Sequence, residues 1–114
     1  MHIDSFSFGS ITIDGVTYGS DVILLPPKVV LSWRRREGHR SAAEDFAEVI
    51  AYRPETLIVG CGVSKRLRVP PDAIGSMESA GIAVKILSTE EAVGRFNAQL
   101  GRCQKVAAAM HLTC

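Results

Sequence analysis

The sequence has little of what marks a specialised chain. Its charge is nearly balanced, with 13 Lys plus Arg against 12 Asp plus Glu and a formal net charge of +1. A dedicated nucleic-acid binder carries a basic excess, so no nucleic-acid partner is expected. Aromatic residues make up 6% of the chain, with one tryptophan, and base-stacking platforms need several. Three cysteines, Cys61, Cys103 and Cys114, form no Cys-x-x-Cys pair. An odd count without that spacing is neither a disulfide framework nor a zinc site. A reducing compartment fits best, and no metal or other cofactor is expected.

Long apolar runs are also missing. The longest apolar region, residues 22–31, is broken by Pro26, Pro27 and Lys28. It is too short to span a bilayer, so no transmembrane segment is expected. The start, Met1-His2-Ile3-Asp4-Ser5-Phe6, has neither the basic opening of a signal peptide nor the arginines of a transit peptide. These features point to a soluble, cytoplasmic protein. There are no repeats, linkers or low-complexity stretches.

What remains is the composition of a globular domain. The chain has 114 residues, of which 46% are hydrophobic and 22% charged. Single domains run to about 100–150 residues, so one domain spanning residues 1–114 is expected. The hydrophobic content excludes disorder.

Local patterns predict an ordered set of elements. Asp14-Gly15 permits the positive φ angles of a tight hairpin turn, with Ile13 facing Val16 and Ile11 facing Tyr18. Residues 22–25 and 29–33 read as two short strands separated by Pro26-Pro27. A polar loop follows: Arg34-Arg35-Arg36-Glu37-Gly38-His39-Arg40. Ser41-Ala42-Ala43-Glu44 matches a capping box, opening a helix with Ala43, Phe46, Val49 and Ile50 on one face. Pro54 ends it. Residues 56–60 form a continuous apolar run typical of a strand covered on both sides. Pro70-Pro71 opens a helix that turns Ile74 and Met77 inward and stops at Gly81. Residues 82–87 read as a further buried strand. Ser88-Thr89-Glu90-Glu91 caps a helix with Ala92, Val93, Phe96 and Leu100 inward. The tail, residues 105–114, stays open between helix, favoured by Ala107-Ala108-Ala109, and strand.

Alternating strands and helices imply an α/β domain with right-handed crossovers. The turns at 33–40, 60–62 and 88–89 would then lie along one edge of the sheet, where open α/β sheets bind ligands.

The residues also resemble a known family. The matching pieces begin with Phe8-Gly9, Ile11, Gly15, Tyr18, Asp21-Val22-Ile23, Pro26 and Trp33. They continue with Pro54-Glu55, Leu57-Ile58-Val59-Gly60-x-Gly62, Thr89-x-x-Ala92, Asn97 and Gly101-Arg102. They end with Val106-Ala107-Ala108-Ala109-x-His111-Leu112-Thr113-Cys114. This ordered set resembles the small-domain family of the adipogenesis-associated protein of animals. A mitochondrial assembly factor for respiratory complex I and many bacterial proteins belong to it too. The resemblance implies a compact three-layer α/β domain. Its mixed central sheet has helices on one side and a β-hairpin layer on the other. It also implies that the tail is a strand, antiparallel to the rest. It carries no established catalytic residues, because the family has no agreed enzymatic activity. The middle residue of Gly-x-Gly is commonly Thr in the family and is Cys61 here, so a hydroxyl-dependent role there would not transfer.

Several groups are candidates for chemistry. Gly60-Cys61-Gly62 is either a turn that lets backbone N–H groups approach an anion or a strand exit that needs positive φ. The third glycine of a dinucleotide fingerprint is missing, because Lys65 stands there. Ser88 and Thr89, at a helix start, belong to the same candidate ligand edge. Cys61 is expected to be a slow-reacting, buried thiol rather than a nucleophile activated by Lys65 or Arg66. His111 is expected to be a hydrogen-bonded structural histidine. Asp21, Asn97 and Arg102 are expected to brace loops and helix ends. Trp33, Arg34, Arg35, Arg36 and Arg40 form a candidate partner surface, since Arg and Trp are enriched at interface hot spots. No catalytic constellation stands out.

The reading is therefore an accessory or assembly-type domain that binds a protein partner, linked to respiratory complex assembly by resemblance alone. The alternative is a binder of an anionic small molecule, or a small enzyme, at the Gly60–Gly62 edge. The mean hydropathy of +0.16 also permits a homo-oligomer.

Overall fold

Asp14 and Gly15 have φ of +48° and +79°, the left-handed pair that a two-residue hairpin turn requires. In the computed structural model, which describes residues 1–31, 33 and 41–114, this turn joins two strands. They are β2 (Ser10–Ile13) and β3 (Val16–Tyr18), with Ile13 opposite Val16 and Ile11 opposite Tyr18, as the sequence predicts. A strand without a clear sequence signal, β1 (Ile3–Ser7), pairs antiparallel with the other side of β2. Ile3, Ile11 and Ile13 are buried, whereas Val16 keeps 53% of its surface.

The chain then enters a five-stranded sheet. β4 (Val22–Leu25) is buried throughout. The Pro26-Pro27 turn, with a cis peptide bond, folds β5 (Lys28–Val30) back antiparallel onto it. This strand ends at Val30 and does not extend to residue 33 as expected. After residue 41 a 3-10 turn (Ala43–Phe46) leads into α1 (Ala47–Tyr52).

The expected capping box at Ser41 is displaced by one residue. The Asp45 carboxylate accepts the Ala42 N–H at 2.7 Å. Ser41 lies one residue outside the turn, with its hydroxyl donating to the Arg68 carbonyl at 2.9 Å. Phe46 and Val49 face the core as predicted. Arg53, with φ of +56°, terminates α1 just before Pro54.

β6 (Thr56–Cys61), α2 (Pro71–Ser79), β7 (Ala83–Leu87), α3 (Thr89–Gly101) and β8 (Val106–His111) complete the domain. The strand order is β5-β4-β8-β6-β7. β6 is parallel to both β7 and β8, and β4 is antiparallel to β8. The tail strand is thus not antiparallel to the rest. The reversed strand is β4, because the short Pro26-Pro27 connection allows only an antiparallel return. β7 also departs from expectation: it is an edge strand with only partial cover, not a buried one.

The mixed sheet is the middle layer. One face packs Leu57, Val59, Ala107 and Ala109 with Phe46 and Val49 of the first helical segment and Met77 of α2. The other packs Ile58, Ala108 and Met110 with Ile3 and Ile11 of the hairpin layer and Phe96 of α3. The three-layer α/β architecture is present, but the helices are not all on one side as expected: α3 packs its Ala92 and Phe96 on the hairpin side. Small alanines in the central β8 leave room for Phe46 and Phe96 above and below it. Covering both faces overrides the helix preference of an alanine run.

Candidate functional site

The ends of β6 and β8 and the start of α3 meet in one buried polar junction. Ser88 caps α3: its hydroxyl accepts the Glu91 N–H at 3.3 Å and donates to the Glu91 carboxylate at 2.9 Å. The cap delivers Thr89 into the core, where it is fully buried. Its Oγ1 accepts the Gly62 N–H at 2.8 Å and donates to the His111 carbonyl at 2.6 Å. One hydroxyl therefore ties the exit of β6 to the last residue of β8.

Glycine is required on both sides of Cys61 by contact. A Cβ on Gly60 would lie 2.9 Å from the Met110 sulfur and 3.0 Å from the Thr89 Cα. A Cβ on Gly62, whose φ is +97°, would lie 2.4 Å from the Cys114 carbonyl carbon. The segment after β8 runs directly against this turn. The Val63 N–H donates to the Thr113 carbonyl at 2.8 Å and the Arg66 N–H to the Cys114 oxygen at 2.9 Å. The Lys65 N–H turns back to the Gly62 carbonyl. The N–H groups of residues 62, 63, 65 and 66 are thus directed into the fold.

A second polar pair lies beside the junction. His111 Nδ1 is 2.8 Å from the Asp21 carboxylate, whose other oxygen accepts the Leu112 N–H at 2.9 Å. His111 is 4% exposed. The Thr113 hydroxyl lies 3.4 Å from His111 Nε2, as strand alternation places them on one face. Asp21 and His111 each stand out in the sequence, but nothing local joins them across 90 positions. Asn97 braces in the same manner. Its amide accepts the Ile3 N–H and donates to the Ile3 carbonyl, both at 2.9 Å, completing the free edge of β1. Arg102 closes the C-terminal end of α3.

Cys61 sits beneath the junction at 1% exposure. Burial pushes its thiol up to about 11, against a smaller opposing effect of the Lys65 charge. A neutral, covered thiol is a poor nucleophile. Cys103 is exposed and Cys114 partly so, and all three are free. Among the described residues, no three His, Cys, Asp or Glu side chains gather as a metal site.

The candidate partner surface divides. Trp33 is a core residue at 7% exposure, not a surface anchor. Its ring packs 5.6 Å from Phe46, and its Nε1–H donates to the Asp45 carbonyl at 3.1 Å. The apolar side chain closes the core where β5 ends. Arg34, Arg35, Arg36 and Arg40 lie outside the described residues. Among the described residues, no helix is long and apolar enough to cross a membrane.

Residues 3–111 match the family "Protein of unknown function (DUF498/DUF598)". Over 99 residues the chain is 32% identical to NADH dehydrogenase (ubiquinone) 1 alpha subcomplex assembly factor 3 of Mus musculus. That match covers 85% of this chain and 52% of the mouse protein, so the chain spans about half of its relative's length. A conserved hypothetical protein from Pyrococcus horikoshii OT3 has the same fold, with a TM-score of 0.81 over 100% of both chains at 23% identity. The solved protein MT938 is 29% identical, with a TM-score of 0.79 over 99% of this chain and 98% of its own.

Proposed function

The chain belongs to the DUF498/DUF598 family of proteins of unknown function, and on that premise we propose that it is an accessory domain that acts by binding another protein. The observation that carries this reading is the similarity to a complex I assembly factor over 85% of the chain. In this reading the chain serves the assembly of a respiratory complex and catalyses no step itself.

The junction geometry supports the same choice. An anion site at the Gly60–Gly62 edge needs free backbone donors. Here the N–H groups of Gly62, Val63, Lys65 and Arg66 are directed to Thr89, Thr113, Gly62 and Cys114. Ser88 and Thr89 are likewise occupied as a helix cap and a buried tie. The polar residues at this edge hold three elements together, which is the work of a scaffold.

The partner contact is assigned to charge. Arg34, Arg35, Arg36 and Arg40 would supply it, matching an acidic partner. Three free thiols fit the cytoplasmic setting expected for such a partner. The test is a crosslinked pull-down from the native host, with wild type beside an Arg34/Arg35/Arg36→Glu triple variant. A respiratory-complex subunit or assembly protein captured by wild type and lost in the variant is the expected result. Equal recovery with both would remove the arginine cluster from the interface. Recovery of neither would remove protein binding as the function.

A further inference from the structure

The five-stranded sheet ends on β7, which among the described residues pairs with β6 alone. The Ala83 N–H donates to the Glu55 carbonyl at 3.0 Å. By the alternation of a parallel ladder, the backbone groups of Ala83, Lys85 and Leu87 then point toward β6. Those of Val84 and Ile86 point outward. Among the described residues, nothing pairs with that outer edge.

Native proteins cover or blunt such edges, because unpaired N–H and C=O groups template the addition of a strand. This edge has two further features. Ile86 is 36% exposed. Beside it runs an open groove of about 510 Å³, lined by Val69, Pro70 and Pro71 and flanked by Lys65 and Arg68. Its lining carries two cations and no acid. Lys85, also exposed, adds a third cation on the strand itself.

We propose that the outer edge of β7 takes an extended, acidic segment of a partner protein as a sixth strand of the sheet. The inference rests on the protein-binding reading and assigns it a surface on the opposite edge from β5. Main-chain bonds to Val84 and Ile86 supply affinity, and alternate side chains supply specificity. Lys85 and Ile86 face opposite sides of the sheet. The added strand therefore alternates acidic residues, facing Lys85, with apolar residues that lie along Ile86 and the groove. Acidic residues at its ends meet Lys65 and Arg68. A second copy of this chain is a poorer occupant. The antiparallel register that pairs all of Ala83–Leu87 with another β7 sets Lys85 against Lys85, and directly opposed like charges destabilise.

The test uses the full chain, isotope-labelled for NMR, and two peptides of about ten residues. One alternates Val with Glu, and the other alternates Val with Lys. The Val–Glu peptide is expected to shift the Val84 and Ile86 amides and slow their hydrogen exchange. The Val–Lys peptide is expected to do neither. Lys85→Glu is expected to weaken the Val–Glu peptide about tenfold, by exchanging an attraction for a repulsion. Ile86→Pro removes an outward N–H, which an edge strand tolerates, and is expected to abolish binding while β6–β7 pairing persists. Equal binding of both peptides, unchanged exchange at Val84 and Ile86, or indifference to Lys85→Glu would overturn the proposal. So would protection of those amides by protein concentration alone, which would make the occupant a second copy. A native partner still captured by the Lys85→Glu chain would overturn this edge while leaving the protein-binding reading standing.

Discussion

His111 and Asp21 stand 90 positions apart in the chain and 2.8 Å apart in the fold. The pair fastens the segment before β4 to the end of β8, since the same carboxylate also accepts the Leu112 N–H. Removing it with Asp21→Ala is expected to cost about 2–3 kcal/mol, because a buried ring nitrogen and a backbone N–H both lose their partner. Asp21→Asn, which keeps an acceptor oxygen, is expected to cost less. Urea denaturation of the two variants beside wild type checks the order.

Thr89 provides a sharper comparison. Thr89→Val keeps the shape and removes the hydroxyl that joins Gly62 to His111. The buried Gly62 N–H then lacks its acceptor and the His111 carbonyl loses a donor, and a loss of about 1–3 kcal/mol is expected. Thr89→Ser retains the hydroxyl and is expected to recover most of that loss. Equal loss in both variants would mean that the methyl group, not the hydrogen bonds, holds the junction.

Glycines separate by their surroundings. Gly62→Ala is expected to destabilise by about 2 kcal/mol or more, since φ is +97° and the added carbon meets the Cys114 backbone. Gly94, inside α3, has nothing within 4 Å of an added Cβ. Gly94→Ala is therefore expected to stabilise by about 0.5–1 kcal/mol through helix propensity. Thermal unfolding of both variants decides it.

The sequence announces these elements unevenly. The Asp14-Gly15 turn determines its own hairpin register, because the φ requirement is local. Ser88 as a helix cap and Phe46, Val49 and Phe96 as inward positions are equally local and equally readable. The alanine run of β8 is not, because intrinsic preference says helix while burial on both faces makes it a strand. β7 reads as buried from its apolar residues, yet being an edge depends on which strands lie beyond it. Trp33 has the composition of an interface anchor, and only its contact with Phe46 shows it as core. Asp21, His111 and Asn97 stand out as polar residues at their own positions. Their partners lie 90 or more residues away, beyond any spacing rule.

Cys61 gives a pH prediction with a definite sign. The folded thiol ionises near 11, while the unfolded thiol ionises near 9.0. The folded state thus holds its proton where the unfolded state has released it. Stability is unaffected below about pH 9 and falls as pH rises from there toward 11. At neutral pH, iodoacetamide is expected to label the exposed Cys103 well before Cys61. Peptide mapping of a time course shows the order, and early labelling of Cys61 would contradict its burial.

The central claim is that this domain works by holding another protein. The most direct measurement places a photo-crosslinking residue at position 35 or 86 in the native host and identifies the crosslinked product by mass spectrometry. The account predicts a discrete protein adduct, with the crosslink from position 86 falling in an extended acidic segment. Irradiated samples with no protein adduct at either position, beside a small molecule that copurifies in equal amount with the chain, would contradict it.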